Sequence, residues 1–244
     1  MFKNHKTIHF NNFASDRYFR SPVNSRSKKD NTVVIISAFK AHNFIESCIK
    51  SVFDQENWEG ELLLGIDNCP DTLDVVKSIM SNYPRLSVYN SDLNTGPYMV
   101  YNFLLTKIRS DEKFLIFGAD DVMDKNMISI LSRDDSPKIC KHDGILYIRK
   151  DVFNIIGNFR PWRCSGDTDS LSRLKRSGIH MIRTPIYFKQ NSHPDQLTKA
   201  SETNFNSPMR QRYWKEIENN MKSRRPVLYK LSESNQMYKI YGNR

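Results

Sequence analysis

Short apolar runs alternate with amphipathic segments between residues 32 and 118, and this alternation constrains the fold more than any other feature. The runs are TVVIIS, ELLLGI, LSVYN and KFLIFG, each of strand length. The segments between them are HNFIESCIKSVFDQ, DTLDVVKSIMSNY and GPYMVYNFLLTKI, which carry apolar residues at helical spacing. Continuous apolar strands separated by helices predict an α/β fold, with a mostly parallel central sheet covered by helices on both faces.

The pattern changes after residue 143. GILYIRKDVFNIIGNF predicts a strand and a short helix, and DTDSLSRLKRSG predicts a helix closed by Gly178. A polar, basic tail follows from Ser201, and its apolar residues recur every four positions, at Met209, Tyr213, Ile217 and Met221. This spacing predicts a helix that docks on the core through one face.

Two helix starts carry cap signals. Asn43 is followed three residues later by Glu46, which resembles a capping box and predicts a helix that begins after Asn43. Asp71 is a candidate cap for the helix TLDVVK.

The composition limits the cellular setting and the class of partner. The 244 residues have a mean hydropathy of -0.61, and no apolar run is long enough to span a bilayer. MFKNHKTIHFNNF lacks the continuous apolar stretch of a secretory signal, so a cytoplasmic protein is expected. The formal charge of +10 favours polyanions without choosing among DNA, RNA, anionic lipid and nucleotide diphosphates, and simple solubility would also explain it. The widely spaced cysteines are expected to be reduced thiols: Cys48, Cys69, Cys140 and Cys164.

Acidic residues follow two of the predicted strands. Asp67 comes directly after ELLLGI, and Asp120 and Asp121 come after KFLIFG. In open α/β sheets ligands bind beyond the carboxyl ends of the strands, where Asp67 could accept hydrogen bonds from a base or a ribose. The pair Asp120–Asp121 suits Mg²⁺ or Mn²⁺, which takes oxygen ligands and shares them with substrate phosphates. Taken alone, the pair would also fit a solvated turn.

Three further positions have both a functional and a structural interpretation. Gly96 precedes a helix and would let the backbone approach a phosphate, but Gly-Pro is also a common turn. Asp167 and Asp169 begin a predicted helix, where a carboxylate acts as a general base or stabilises the helix dipole. His193 lies in a polar loop, where it could bind a metal, donate a hydrogen bond to a phosphate, or have neither role.

The order of these segments resembles that of family 2 glycosyltransferases. The matching segments, which cover about residues 32 to 198, are TVVIISAFKAHNFIESCIKSVFDQ, GIDNCPD, NTGPYMVYN, FGADD, GILYIRKDVFNIIGNFR, GDTDSLSRLKRSG and SHPDQLT. The resemblance implies the GT-A fold of nucleotide-diphospho-sugar transferases and inversion at the anomeric carbon. It also implies three regions: a basic N-terminal arm (1–30), a GT-A domain (31–200, with a nucleotide-binding half to 125 and an acceptor half from 126), and a basic helical extension (201–244).

The resemblance assigns donor-binding roles to residues at the ends of the first strands. Asp67 matches the carboxylate that reads uracil and ribose, and Asp121 matches the acidic residue after the metal ligand. The other matching positions turn over or border the nucleotide: Ser37, Ala38, Phe39, Asn94 and Gly96.

The same resemblance implies a metal site and a catalytic base. Asp120 matches the carboxylate of the DxD motif that binds Mn²⁺ or Mg²⁺, and His193 matches a late histidine that meets the metal or the diphosphate. Asp167 matches the aspartate that deprotonates the acceptor hydroxyl. Gly118 and Gly166 stand where the family carries Asp and Glu, so metal affinity and activity are open, and DNCPD is a loose version of the usual DDGSTD.

The acceptor is not determined by these motifs. The flanks SRSKK, RQRYWK and KSRRPVLYK mix basic and aromatic residues, which suits phosphate contact and base stacking. A hydroxymethylated base in phage DNA is therefore one acceptor hypothesis, and it would require base flipping. The alternatives are a surface polysaccharide, a lipid or a protein acceptor, and a non-catalytic binding protein with the same fold. A nucleotidyltransferase would normally have a Gly-rich loop after the first strand, and SAFKAHNF contains no glycine.

Overall fold

The structure is a computed structural model that describes residues 30–133, 145–179, 181, 186, 188–223 and 238–241, the last segment for its backbone alone. The basic N-terminal arm, Cys140 and most of KSRRPVLYK lie outside these residues.

Eight strands, seven α-helices and one short 3₁₀ helix (Met80–Asn82) are formed by the described residues. The strands are β1 (Val33–Ala38), β2 (Leu62–Ile66), β3 (Leu86–Ser91), β4 (Lys113–Gly118), β5 (Val122–Met123), β6 (Leu146–Arg149), β7 (Phe188–Lys189) and β8 (Tyr238–Tyr241). The helices are α1 (Ile45–Phe53), α2 (Pro70–Ile79), α3 (Pro97–Leu105), α4 (Met127–Leu131), α5 (Lys150–Asn154), α6 (Gly166–Arg176) and α7 (Pro208–Lys222).

Six of these strands form one sheet in the order β6-β4-β1-β2-β3-β8. The four central strands run parallel, and β6 and β8 pair antiparallel at the two edges. Strands β5 and β7 form a separate antiparallel pair. The predicted mostly parallel α/β sheet is therefore confirmed, and its two edge strands add the antiparallel pairings.

Helices cover both faces of the sheet. Alternate residues of β1 point to opposite faces, so each face presents apolar side chains to a layer of helices. Val34 and Ile36 pack in one apolar cluster with residues of α1, α2 and α4. Val33 and Ile35 pack in a second cluster with residues of α3, α5 and α6. These two layers fix the positions of the loops at the carboxyl edge of the sheet.

Helix α7 packs through part of the predicted stripe. Tyr213 and Ile217 are buried against Trp162 and Cys164, and the Tyr213 ring stacks on Trp162 with centroids 4.4 Å apart. Met221, the last residue of the stripe, is 39% exposed. The predicted docking helix is therefore present, with its contact concentrated in the middle.

Both cap predictions are wrong. Helix α1 begins at Ile45 with Phe44 as its N-cap and no capping side chain, because the carbonyl of Ala41 accepts from the backbone N–H groups of Phe44 and Ile45. Asp71 lies inside the first turn of α2, whose N-cap is Cys69. A backbone turn thus satisfies the donors that the sequence pattern assigned to a side chain.

None of the helices in the described ranges combines the length and the apolarity that a membrane crossing requires. Cys48, Cys69 and Cys164 are buried free thiols, as expected for these three.

Candidate active site at the carboxyl edge of the sheet

The carboxyl ends of β1, β2 and β4 meet at one edge of the sheet. Ser37 pairs with both Gly65 of β2 and Gly118 of β4, so the residues that follow each strand emerge side by side. Ala38 is fully buried at the end of β1, whereas the next residue, Phe39, is 47% exposed. Parallel strands therefore bring together the segments that the sequence pattern singled out.

Asp67 holds the loop that precedes α3. Its carboxylate accepts hydrogen bonds from the backbone N–H groups of Thr95 (2.7 Å) and Gly96 (2.8 Å) and from the Thr95 hydroxyl (3.2 Å). The side-chain amide of Asn94 donates to the Asp67 carbonyl at 3.2 Å. Gly96 has a φ of 89°, a conformation that glycine adopts without steric cost. The structure thus unites Asp67, Asn94 and Gly96, with the Asp67 carboxylate turned toward the loop.

Arg163 contacts the same loop and was not singled out by the sequence reasoning. Its guanidinium donates to the Asn94 side-chain oxygen and to the Asn94 carbonyl, the latter at 3.1 Å. Arg163 is exposed, so a cation stands at the rim of the predicted donor site. The only sequence signal was a basic residue in the segment before α6.

Asp120 and His193 lie in direct contact. The Asp120 Oδ2 atom is 3.1 Å from His193 Nε2 and accepts a hydrogen bond from the Gln196 amide at 3.0 Å. The Asn191 side chain donates to the Asp120 carbonyl at 2.6 Å. The sequence pattern predicted this pair, but it did not point to Gln196 or Asn191.

Two contacts hold the loop that carries His193. The His193 ring packs on Phe44, with centroids 4.8 Å apart. Lys40, at the end of β1, forms a 2.9 Å ion pair with Asp195, and the pair lowers the pKa of Asp195 and raises that of Lys40. His193 is therefore tied to the segment that follows β1.

Gly118 is surrounded by the carboxylates of the next two residues. A Cβ atom at this position would lie 2.7 Å from Asp121 Oδ2 and 3.1 Å from Asp120 Oδ1. The Cys48 thiol lies 3.3 Å from the Gly118 carbonyl, to which it donates. Burial, and then the charges of Asp121 and Asp120, raise the pKa of Cys48 well above its usual 9.0. The carboxylates of Asp121 and Asp120 therefore occupy the space beside the Gly118 α-carbon.

Asp167 and Asp169 have different surroundings. Asp169 is 1% exposed and binds two arginines, Arg160 at 3.2 Å and Arg173 at 2.8 Å. Asp167 is only partly buried, and its Oδ1 accepts a 3.0 Å hydrogen bond from the Tyr98 hydroxyl. Asp169 therefore has a structural role in an ion-pair network, and Asp167 is the carboxylate of this helix start that can meet a substrate.

Tyr101 links the two acidic positions. Burial of its hydroxyl raises the pKa of Tyr101, and the charges of Asp120 and Asp167 raise it further. Asp120 follows β4 and Asp167 lies in the first turn of α6, and the charges of both act on this hydroxyl.

Asp120 and His193 are the side chains here that fit a divalent cation. Within the described ranges, no three His, Cys, Asp or Glu side chains form a group that could hold an ion by themselves. A carboxylate plus an imidazole fits Mn²⁺ better than Mg²⁺, which prefers oxygen ligands alone. Substrate phosphates and water would have to complete the coordination.

The sheet order, with helices on both faces, is that of the GT-A fold. The sequence matches the family described as Glycosyl transferase family 2 over residues 33–218, so the chain belongs to that family. No curated protein sequence matches this chain.

Solved structures share the fold at low identity. One is the mannosyltransferase PcManGT from Pyrobaculum calidifontis in complex with GDP-Man and Mn²⁺, with a TM-score of 0.56, 13% identity, and coverage of 70% of this chain and 60% of that one. Another is residues 1–349 of S. aureus TarS in complex with UDP-GlcNAc, with a TM-score of 0.55, 12% identity, and coverage of 70% and 61%. The chain thus spans about 60% of the length of these structures.

Proposed function

We propose that this protein transfers a sugar from a nucleoside-diphosphate sugar to an acceptor hydroxyl, with inversion at the anomeric carbon. The observation that supports the proposal is a set of two carboxylates, each held by a neighbouring side chain: Asp120 by His193, and Asp167 by Tyr98. Inverting transfer needs a group that accepts the acceptor's proton and a second group that stabilises the leaving diphosphate on the opposite side of the sugar.

Asp120 and His193 are proposed to hold a divalent cation together with the donor diphosphate. When bound, Mn²⁺ or Mg²⁺ would neutralise the charge that develops on the leaving group. The 3.1 Å contact between Oδ2 and Nε2 supports the assignment, because two ligands of one cation would lie about this close together. Gln196 and Asn191 orient Asp120, and Phe44 orients the imidazole. Such supporting contacts fix the direction of metal ligands.

Asp167 is proposed as the general base. Its carboxylate accepts the proton of the acceptor hydroxyl while the acceptor oxygen forms a bond to the anomeric carbon. The bond from that carbon to the diphosphate oxygen breaks, and the nucleoside diphosphate leaves with the electron pair. A positioned base of this kind contributes on the order of 10²–10⁴-fold to a rate.

The donor nucleotide is proposed to bind between the end of β1 and the loop of residues 94–96. Asp67 orders this loop by accepting hydrogen bonds from the backbone N–H groups of Thr95 and Gly96. Ser37, Ala38 and Phe39 border the other side, and Asp121 lies beneath, against Gly118. The exposed Arg163 adds a positive charge beside Asn94 for the diphosphate. A UDP-sugar is the first donor to test, and GDP-sugars form the comparison.

A direct test measures donor hydrolysis and sugar transfer with a panel of UDP- and GDP-sugars in Mn²⁺ or Mg²⁺. Asp120→Ala and Asp167→Asn should each lower the rate by at least about 10²-fold. Asp74→Asn is the matched control, since Asp74 is an exposed carboxylate on α2. Asp120→Ala should also weaken Mn²⁺ binding measured by calorimetry with UDP present. Turnover in both site variants equal to that of the parent protein would contradict the proposal.

A nucleic acid acceptor, such as a hydroxymethylated base in phage DNA, is a second proposal, and it rests on the formal charge of +10. Not every basic residue of RQRYWK can contact a phosphate. Arg210 is buried, and its guanidinium donates hydrogen bonds to the carbonyls of Thr203 and Leu197. Arg212 and Lys215 are exposed on α7. If they contact phosphates, Arg212→Ala/Lys215→Ala should lower DNA affinity and reduce its salt dependence by about two phosphate contacts. Salt-independent binding would leave the polysaccharide, lipid and protein acceptors.

A further inference from the structure

Tyr98 is the residue that contacts the proposed base. It is the second residue of α3, it is 8% exposed, and its hydroxyl donates to Asp167 Oδ1 at 3.0 Å. We propose that Tyr98 is a positioning residue for Asp167, directing Oδ2 toward the acceptor hydroxyl by engaging Oδ1. This inference rests on the proposed role of Asp167 as general base.

The Tyr98 ring is fixed by its neighbours. It packs against Phe159 and Tyr101, with centroid distances of 5.5 Å and 6.2 Å. Asn102, one helical turn after Tyr98, holds the Phe159 backbone with two hydrogen bonds: its amide donates to the Phe159 carbonyl at 2.8 Å, and its oxygen accepts from the Phe159 N–H at 2.9 Å. Because the Tyr98 side chain is already held in one conformation, it loses little further conformational entropy when it orients Asp167.

Gly166 provides the space that the ring occupies. A Cβ atom at position 166 would lie 2.6 Å from two atoms of the Tyr98 ring, closer than such atoms approach in proteins. Tyr98 and Gly166 are therefore a matched pair, and any larger residue beside Asp167 would displace the ring.

The Tyr98 hydroxyl stays protonated at neutral pH. Burial, followed by the charge of Asp167, raises the pKa of Tyr98 well above its usual 10.0. In its contact with the Asp167 side chain the hydroxyl is therefore the hydrogen-bond donor. In the transfer step the acceptor's proton goes to Oδ2 of Asp167, and Tyr98 keeps its own proton throughout.

The test removes the hydroxyl and keeps the ring. Tyr98→Phe should lower kcat about ten- to hundredfold, as expected for the loss of a hydrogen bond to a charged group, while the donor KM stays unchanged. Tyr213→Phe is the matched control, because Tyr213 is equally buried but stacks on Trp162 in α7 contacts. Gly166→Ala is the second variant: it keeps the hydroxyl but displaces the ring, and should lower kcat without raising the donor KM.

A double variant separates positioning from a general structural effect. If Tyr98 acts through Asp167, Tyr98→Phe should produce no further loss in an Asp167→Asn background. An equal loss in both backgrounds, a rise in donor KM alone, or full activity of both Tyr98→Phe and Gly166→Ala would overturn the inference. Transfer at the parent rate by Asp167→Asn would overturn the proposed function itself, whereas an inactive Asp167→Asn with an active Tyr98→Phe would overturn only the role of Tyr98.

Discussion

At the scale of single residues, Gly118 and Gly166 stand where the resembled family carries acidic side chains, and another side chain fills the space beside each α-carbon. Asp121 lies over Gly118, and the Tyr98 ring lies over Gly166. The space beside each glycine is therefore filled by the side chain of a neighbouring residue. The sequence showed only that the acidic residues were missing, because the replacing side chains belong to other positions of the fold.

Gly118→Ala should destabilise the protein and weaken its response to Mn²⁺. The new Cβ would meet Asp121 Oδ2 at 2.7 Å, so the carboxylates must move, and overpacking of this kind costs about 1–3 kcal/mol. Thermal unfolding gives the first effect and a Mn²⁺ titration of turnover gives the second. Combining Gly118→Ala with Asp121→Ala removes the colliding side chain. The double variant should therefore lose less stability than the sum of the losses in the two single variants. Fully additive losses would show that the contact is unimportant.

The choice between Asp167 and Asp169 illustrates what sequence alone leaves open. Both residues begin the same predicted helix, where each could have been a cap or a general base, and only the family resemblance selected Asp167. The difference lies in Arg160 and Arg173, which neutralise Asp169 in a buried cluster. Such partners become visible only when the loop before α6 is folded against the helix.

At the scale of elements, α3 organises the acceptor side of the site. Tyr98 and Asn102 lie one turn apart, and they hold Asp167 and Phe159 respectively. The helix was predictable from its own apolar residues, since helical periodicity is a local signal. The contact of α3 with the segment before α6 was not predictable, because Asn102 and Phe159 are more than fifty positions apart in the sequence.

Asn102→Asp should lower both stability and kcat. A carboxylate of the same shape can accept from the Phe159 N–H but cannot donate to the Phe159 carbonyl, so a buried acceptor loses its partner at a cost of about 1–3 kcal/mol. Asn102→Ala, which removes both hydrogen bonds, should be at least as destabilising. Chemical denaturation and initial rates provide the two measurements. A variant Asn102→Asp that is as stable as the parent protein would show that the clamp is dispensable.

Helix ends and short strands were the least predictable elements. The α1 start uses the Ala41 carbonyl where a side-chain cap was expected. Strands β5 and β8 were not predicted, since two to four residues carry too little local signal and form only against a partner strand.

At the scale of the whole molecule, buried acidic groups link stability to pH. Cys48, Tyr98 and Tyr101 all have a pKa raised by burial, so the folded protein keeps their protons to a higher pH than the unfolded chain does. Groups of this kind stabilise the fold fully below their unfolded pKa and lose that contribution as the pH rises toward the folded value.

The free energy of unfolding should therefore fall above pH 9.0, the usual pKa of a thiol, and fall more steeply above 10.0, where unfolded tyrosines ionise. Urea unfolding between pH 8 and pH 11 measures this slope, at about constant ionic strength. Cys48→Ser keeps a donor for the Gly118 carbonyl but has no group that ionises in this range, so its slope just above pH 9.0 should be shallower. An identical slope in the variant would remove Cys48 from the explanation.

The edge strand β8 bears on how the chain folds. Strands β1 to β4 all lie within residues 33–118, so even the β1–β4 pairing closes a shorter loop than the pairing of Val88 in β3 with Tyr241 in β8. Closing so large a loop costs conformational entropy before the hydrogen bonds of the strand pair can stabilise it, so such a pairing forms slowly. On a ribosome the four parallel strands would emerge and pair first, and the backbone edge of β3, next to the loop that Asp67 holds, would wait uncovered for the last strand to arrive.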